Sequence, residues 1–207
     1  RIFESLGADL KFLVIIRNTV DRAYSHYLHS KRDHHEIESF EKSLELEFDR
    51  LKKYKGQADY LSYLRHSYIG QGQYYQMLNR FFEFFPRENF LILNFEQEFI
   101  AQREMIIQKI FNFLGLKKEN INFDLSSNKA SKAKSIWLKK IMKKTGWWRV
   151  LLKKMIPSLK VRQIIKNKIQ SKNITLFTPP KINQEDRQNI FNSYFRHDVN
   201  NLEKLLN

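Results

Sequence analysis

Cysteine is absent from the 207 residues, so neither a disulfide framework nor thiol chemistry is available to this chain. That absence favours a reducing cytoplasm over a secretory lumen, although one glycosylation sequon, Asn173-Ile174-Thr175, points the other way. Within the 207 residues no stretch resembles a signal peptide, and no apolar run approaches the ~20 residues that a membrane-spanning helix requires. Glycine and proline are sparse, with six and four residues, and act as punctuation between longer elements. Acidic residues are missing from one whole segment: residues 129–172 hold 15 Lys and Arg and no Asp or Glu, whereas the rest carries 22 charges of each sign. The net charge of +15 therefore belongs to one cationic segment on an otherwise neutral domain, which is not the pattern of a uniformly basic nucleic-acid protein.

What is present is organised around Lys11 to Tyr27, KFLVIIRNTVDRAYSHY. Phe12 to Ile16 is an unbroken β-favouring apolar run, too short for a buried helix, and reads as a strand covered on both faces of a parallel sheet. Asn18 then caps a helix, with Asp21 three residues on as the reciprocal acid, and Asn18, Arg22 and Ser25 share one helical face. Arg17 stands at the strand's carboxyl end, the edge at which open α/β sheets bind ligands beside helix N-termini that favour anions. An Arg fork with a Ser hydroxyl at that edge has the chemistry of a phosphate clamp.

Elsewhere the periodicity is helical with one further strand. Arg1 to Leu10 reads as the tail of a helix capped by Gly7. Phe40, Leu44, Phe48 and Leu51 recur at helical spacing, predicting one amphipathic helix over Ser39 to Lys52 with Ser39 as its cap. The four tyrosines at 60, 63, 68 and 74 either stack on an adenine or line a sugar cleft, or, as each ring singly favours, pack as core with wet hydroxyls. Gly70 and Gly72 break the chain before an aromatic helix, Gln73 to Phe85, stopped by Pro86. Phe90 to Phe95 is the second buried strand, followed by Glu96, which either orients the site or caps the next helix. Ile100 to Leu114 is a helix closed by Gly115. His34 and His35 lack a second ligand pair, so no metal is assigned. The cationic segment reads as helices divided by Pro157, serving as a lid over anionic substrate, as a membrane-surface pair carrying Trp147 and Trp148, or as a solvated insert. Gln184 to Arg196 and Val199 to Leu206 form a C-terminal helical pair.

RNTVDRAYSHY, with Arg17 and Ser25 eight positions apart, resembles the 3′-phosphate-binding motif of sulfotransferases that use 3′-phosphoadenosine 5′-phosphosulfate (PAPS), whose usual form is RNPxxRAxSxY after a hydrophobic strand. The resemblance continues in order and spacing through FEKSLELEF, GQYYQMLNRFFEFFPRENFLILNFE and IFNFLGL. It implies an α/β, P-loop-like three-layer fold with a parallel sheet flanked by helices, a basic helical insert over residues 129–172 of the kind bacterial members carry, and C-terminal helices. It also implies sulfuryl transfer from PAPS to a hydroxyl or amine of a glycan or small molecule, without a metal. Arg17 and Ser25 would hold the 3′-phosphate, with Lys129, Ser131 and Lys132 as secondary contacts.

In-line displacement at sulfur needs a nucleotide clamp, stabilisation of the equatorial oxygens and a base for the acceptor. Only the clamp is legible. The family's Gly-rich phosphosulfate loop precedes the strand that here begins at Lys11, and no GxxKxGT-like segment occurs in the 207 residues. With Arg at position 1, the sequence reads as an N-terminally truncated single domain, inactive alone, whose catalytic base is not identified. His26 and His29 are rejected as substitutes because the 3′-phosphate lies at the far end of the nucleotide from the sulfur. Thr19 replaces the family's usual Pro, which loosens the loop rather than the clamp. The competing reading is a non-catalytic protein that binds a polyanion, whether nucleic acid, glycan or anionic membrane, through residues 129–172. A cytoplasmic location, with peripheral membrane contact through that segment, is the expectation.

Overall fold

The computed structural model describes residues 2–117, 131–133, 135, 158–172, 174–176 and 180–207. The chain divides into two units, residues 1–121 with 182–207, and residues 122–181.

The first unit is built on two parallel strands, β1 (Phe12–Ile16) and β2 (Phe90–Asn94), paired in register from Phe12 opposite Phe90 to Ile16 opposite Asn94. Both strands fall where the apolar runs predict them, because β-branched and aromatic residues without a helical period have no better use than a pleated ladder. The expectation of cover on both faces holds only in part. Phe12, Val14 and Ile16 face an aromatic cluster with Tyr74, Leu78, Phe85, Phe90 and Leu202, in which Phe12 stacks on Phe90 with ring centroids 4.5 Å apart and meets Phe85 at 4.7 Å. On the other face Leu93 is fully buried, but Leu13 and Ile15 are 41% and 40% exposed. No described element seals that half of the sheet, so β1 alternates as a half-buried strand does.

A short helix, α1 (Ile2–Leu6), ends at Gly7, whose φ of 78° provides the left-handed cap expected there. After β1 comes α2 (Thr19–Arg32), which buries Val20, Ala23 and Tyr27 against Phe40, Leu44, Tyr68, Ile190 and Phe195, the second cluster of the core. The single helix expected over Ser39 to Lys52 is two, α3 (Phe40–Glu45) and α4 (Glu47–Lys53), broken at Leu46. The break takes Phe48 out of the stripe that Phe40 and Leu44 bury; it is exposed, with Lys52 Nζ 3.8 Å above its ring. Ser39 caps α3 as predicted, accepting from the Lys42 amide at 3.2 Å.

Helix α5 (Tyr60–His66) leads to a 3₁₀ turn at Gly70–Gly72 and to α6 (Tyr74–Phe82), which precedes β2. A π-helical turn, Phe95–Ile100, joins β2 to α7 (Arg103–Leu114), which closes on Gly115 at φ 71°. In the second unit β3 (Ser131–Ala133) pairs antiparallel with β4 (Ile174–Leu176), a ladder the helical reading of this segment did not contain, and α8 (Leu159–Lys172) lies between them in sequence. The Trp147 and Trp148 stretch lies outside the described residues. The C-terminal pair is α9 (Gln184–Ile190) and α10 (Arg196–Leu206), joined by a π turn at Phe191–Phe195. Asp198 of α10 is buried and accepts from the Tyr75 and Gln76 amides at 3.0 and 3.3 Å, capping the first turn of α6. No described helix is long and apolar enough to cross a membrane.

Candidate functional site

The in-register pairing brings the carboxyl ends of β1 and β2 side by side, and each strand ends in an asparagine-capped turn. Asn18 Oδ1 accepts from the Val20 and Asp21 amides at 3.2 and 3.1 Å. Asn94 Oδ1 accepts from Glu96 and Gln97 at 3.0 and 2.9 Å. These short side chains satisfy amides that a helix start leaves without partners, which is why the chain turns so sharply after each strand.

Arg17 and Glu96 meet between the two turns. Arg17 Nε donates to Glu96 Oε1 at 3.3 Å, and both side chains are 38% exposed. The Arg17 Cζ lies 5.5 Å from the Phe95 ring centroid, and its backbone amide donates to the buried Tyr74 hydroxyl at 3.3 Å. Among the described residues no hydrogen bond is made to the terminal Nη groups of Arg17.

The reciprocal cap expected from Asp21 is not formed. The Asn18 amide donates instead to Glu96, 3.2 Å from Oε2, and Asp21 accepts from Arg187 Nη2 of α9. The amides of Asn18, Val20 and Asp21 are thus all engaged by protein groups. With these three amides taken, side chains carry most of what this edge offers an anion.

Arg22, one turn along α2, donates through Nη2 to the Tyr68 carbonyl while its Nε is buried without a partner among the described residues. Burial pulls its guanidinium below the ordinary range, opposed by Tyr74 and Glu47 and reinforced by Arg17. Glu47 is itself buried and holds the turn after α5 by accepting from the Ile69 and Gly70 amides at 2.6 and 2.9 Å. Burial raises its carboxyl, and those amide bonds oppose the rise. Gly72 sits where a Cβ would lie 2.9 Å from Phe195 Cε1 and 3.3 Å from Arg22 Nε, so this turn approaches α2 more closely than a side chain allows.

Of the residues expected from sequence, Arg17 stands at the strand end and Ser25 half-buried in α2, one turn beyond Arg22. Ser131 and Lys132 lie in β3 of the second unit, and Lys129 lies outside the described residues. His26 is no base in waiting. Burial pushes its imidazole down to about 4, with Arg22, His29 and His66 adding to the effect, and its ring sits edge-on to Tyr68 at 5.0 Å. Tyr74 was legible only as one of four tyrosines. Its hydroxyl, like that of Tyr68, is bonded inside the protein rather than wet.

The model of the sulfotransferase domain matches residues 4–176, most of the chain and the whole of this strand edge. The chain belongs to the sulfotransferase family. Among solved structures, a sulfotransferase from Alicyclobacillus acidocaldarius superimposes with a TM-score of 0.51 at 26% identity, over 61% of this chain and 48% of that one. This sulfotransferase chain therefore spans about half the length of that relative. No curated protein matches it. Helices α9 and α10 lie beyond the family match, yet they brace its site, α9 through Arg187 on Asp21 and α10 through Asp198 on α6.

Proposed function

We propose that this sulfotransferase uses PAPS and that Arg17 and Ser25 hold the nucleotide's 3′-phosphate. The observation that carries the reading is the half-exposed guanidinium of Arg17 at the carboxyl end of a parallel strand, bonded through Nε alone among the described residues, close enough to Arg22, whose Nε is buried, for the two charges to act on each other. A phosphate dianion suits paired guanidinium groups, whose planar donors match its oxygens. The fold on this reading is the P-loop-like three-layer α/β arrangement, one domain with an insert over residues 129–172.

In the reaction an acceptor oxygen or nitrogen attacks sulfur as the bond from sulfur to the phosphosulfate bridging oxygen breaks. The acceptor's proton passes to a base, and adenosine 3′,5′-bisphosphate leaves. Arg17 and Ser25 act on the leaving group by fixing it in line, a positional contribution. The acceptor is a hydroxyl or amine of a glycan or small molecule. Because the 207 residues hold no GxxKxGT-like loop, the chain alone binds the bisphosphate without transferring sulfate from labelled PAPS. Binding of adenosine 3′,5′-bisphosphate no tighter than that of adenosine 5′-monophosphate overturns the reading.

A second reading, polyanion binding through residues 129–172, is favoured by α8. That helix carries no acid and exposes Leu159, Val161, Ile164 and Ile165 beside Lys160. Neutralising Lys139, Lys140, Lys143 and Lys144 together lowers the salt sensitivity of binding to a sulfated polymer or to anionic vesicles if this segment makes peripheral contact, leaving nucleotide selectivity unchanged.

A further inference from the structure

We propose that Glu96 is a positioning residue for Arg17, presenting the guanidinium to the 3′-phosphate by its terminal amino groups; this rests on the reading of the strand edge as the 3′-phosphate site. An arginine side chain has several rotatable bonds, and a phosphate that must freeze all of them binds less tightly than one meeting a fork already held. Arg17 is held at three points. Its amide is on the Tyr74 hydroxyl, its Nε is on Glu96 at 3.3 Å, and its Cζ lies over the Phe95 ring, 5.5 Å from the centroid. Only the Nη edge of the fork is left to a ligand among these contacts.

Glu96 is in turn fixed by its own strand. Its amide is bonded by Asn94 Oδ1 at 3.0 Å, and the Asn94 amide donates to Glu98 Oε2 at 2.6 Å. The register that places Ile16 opposite Asn94 sets Glu96 beside Arg17 without any loop that needs to close. The same carboxylate takes the Asn18 amide, 3.2 Å from Oε2. It therefore withdraws the Asn18 amide from competition for the anion and leaves the phosphate to the Arg17 fork and the Ser25 hydroxyl. Reach rather than charge governs the hold on Nε, since an amide oxygen at the Oε1 position still accepts from Arg17 Nε, while the amide nitrogen at the Oε2 position gives up the bond from the Asn18 amide.

The test uses the whole chain and the ratio of affinities for adenosine 3′,5′-bisphosphate and adenosine 5′-monophosphate, measured calorimetrically. Glu96→Asp, one methylene shorter, withdraws the acceptor from Nε and lowers the ratio about tenfold, the size expected for one charge-assisted hydrogen bond. Glu96→Ala lowers it at least as much. Glu96→Gln keeps an acceptor at Arg17 Nε and stays within about threefold of the parent ratio. A merely structural Glu96 weakens both nucleotides together and leaves the ratio alone, which overturns the proposal. So does the reverse order, with Asp retaining the ratio and Gln losing it, because charge rather than position then governs. A parent protein that does not distinguish the two nucleotides overturns the 3′-phosphate reading and this inference with it. A parent that distinguishes them while Glu96→Asp does so equally overturns the inference alone.

Discussion

Glu36 is the residue whose loss the structure predicts to be most costly away from the site. Its carboxylate side chain is 1% exposed and accepts five hydrogen bonds: from Arg50 Nη1 at 2.5 Å and Nη2 at 3.2 Å, from the Tyr68 hydroxyl at 3.0 Å, and from the Ile37 and Glu38 amides at 2.9 and 3.1 Å. The pair ties the loop after α2 to α4 and to the Tyr68 ring at the centre of the core. In Glu36→Gln the amide nitrogen faces Arg50 or the tyrosine hydroxyl, and the guanidinium is left without its counter-ion. Breaking such a pair costs about 3–5 kcal/mol, against a total of roughly 5–15 for an ordinary domain. With a urea slope near 2 kcal/mol/M, the midpoint at pH 7 falls by roughly 2 M. The pH dependence adds a second signature. Burial alone raises this carboxyl, but the bonds from Arg50, the Glu38 amide and Tyr68 outweigh it and hold it down at about 2. Between the unfolded value of 4.5 and about 2 the unfolded chain binds the proton first, so the stabilisation is complete above that window and is lost as the pH falls through it. The gap between parent and variant therefore narrows from pH 5 to pH 2.5. Equal midpoints at pH 7, or a gap of constant size down to pH 2.5, would mean that the Glu36–Arg50 pair contributes no such stability.

Two other perturbations report on the scaffold of the site. Gly72→Ala places a methyl 2.9 Å from the fully buried Phe195 ring and costs about 1–3 kcal/mol by urea titration, where an unchanged midpoint shows that the turn after α5 yields freely. His26 has a folded value of about 4 against 6.5 unfolded, so the folded protein is progressively penalised as the pH falls from 6.5 to 4. His26→Phe removes that part of the decline in stability, and parallel pH profiles for parent and variant contradict it.

The elements legible in the sequence are those set by local chemistry. Phe12–Ile16 and Phe90–Asn94 carry no helical period and could be read, the first to the residue and the second to within one, and Asn18, Ser39, Gly7 and Gly115 cap as short polar side chains or left-handed glycines do. What could not be read was set by partners far away in the chain. Asp21 has the right spacing for a reciprocal cap, but Arg187 lies against it and takes its charge. Glu96 has the right place to cap its own helix, yet parallel pairing sets it against Arg17 and the Asn18 amide, and a hydrogen bond across the sheet edge leaves no trace in residue spacing. Phe48 fits a helical stripe in sequence and is exposed because the backbone turns at Leu46, where no glycine or proline signals a break. The site was legible to the extent that one strand end with its motif carries it. The brace from Tyr74, Glu96 and Arg22 became visible only with the register of the two strands.

Calorimetric titration of adenosine 3′,5′-bisphosphate into the parent chain and into Arg17→Ala decides whether the Arg17 edge is a 3′-phosphate site. Loss of a charge-assisted pair worth about 1.5–3 kcal/mol predicts binding weakened roughly ten- to a hundred-fold, with Arg17→Lys recovering only part because Lys lacks the planar fork. Binding of the bisphosphate to Arg17→Ala as tightly as to the parent contradicts the account.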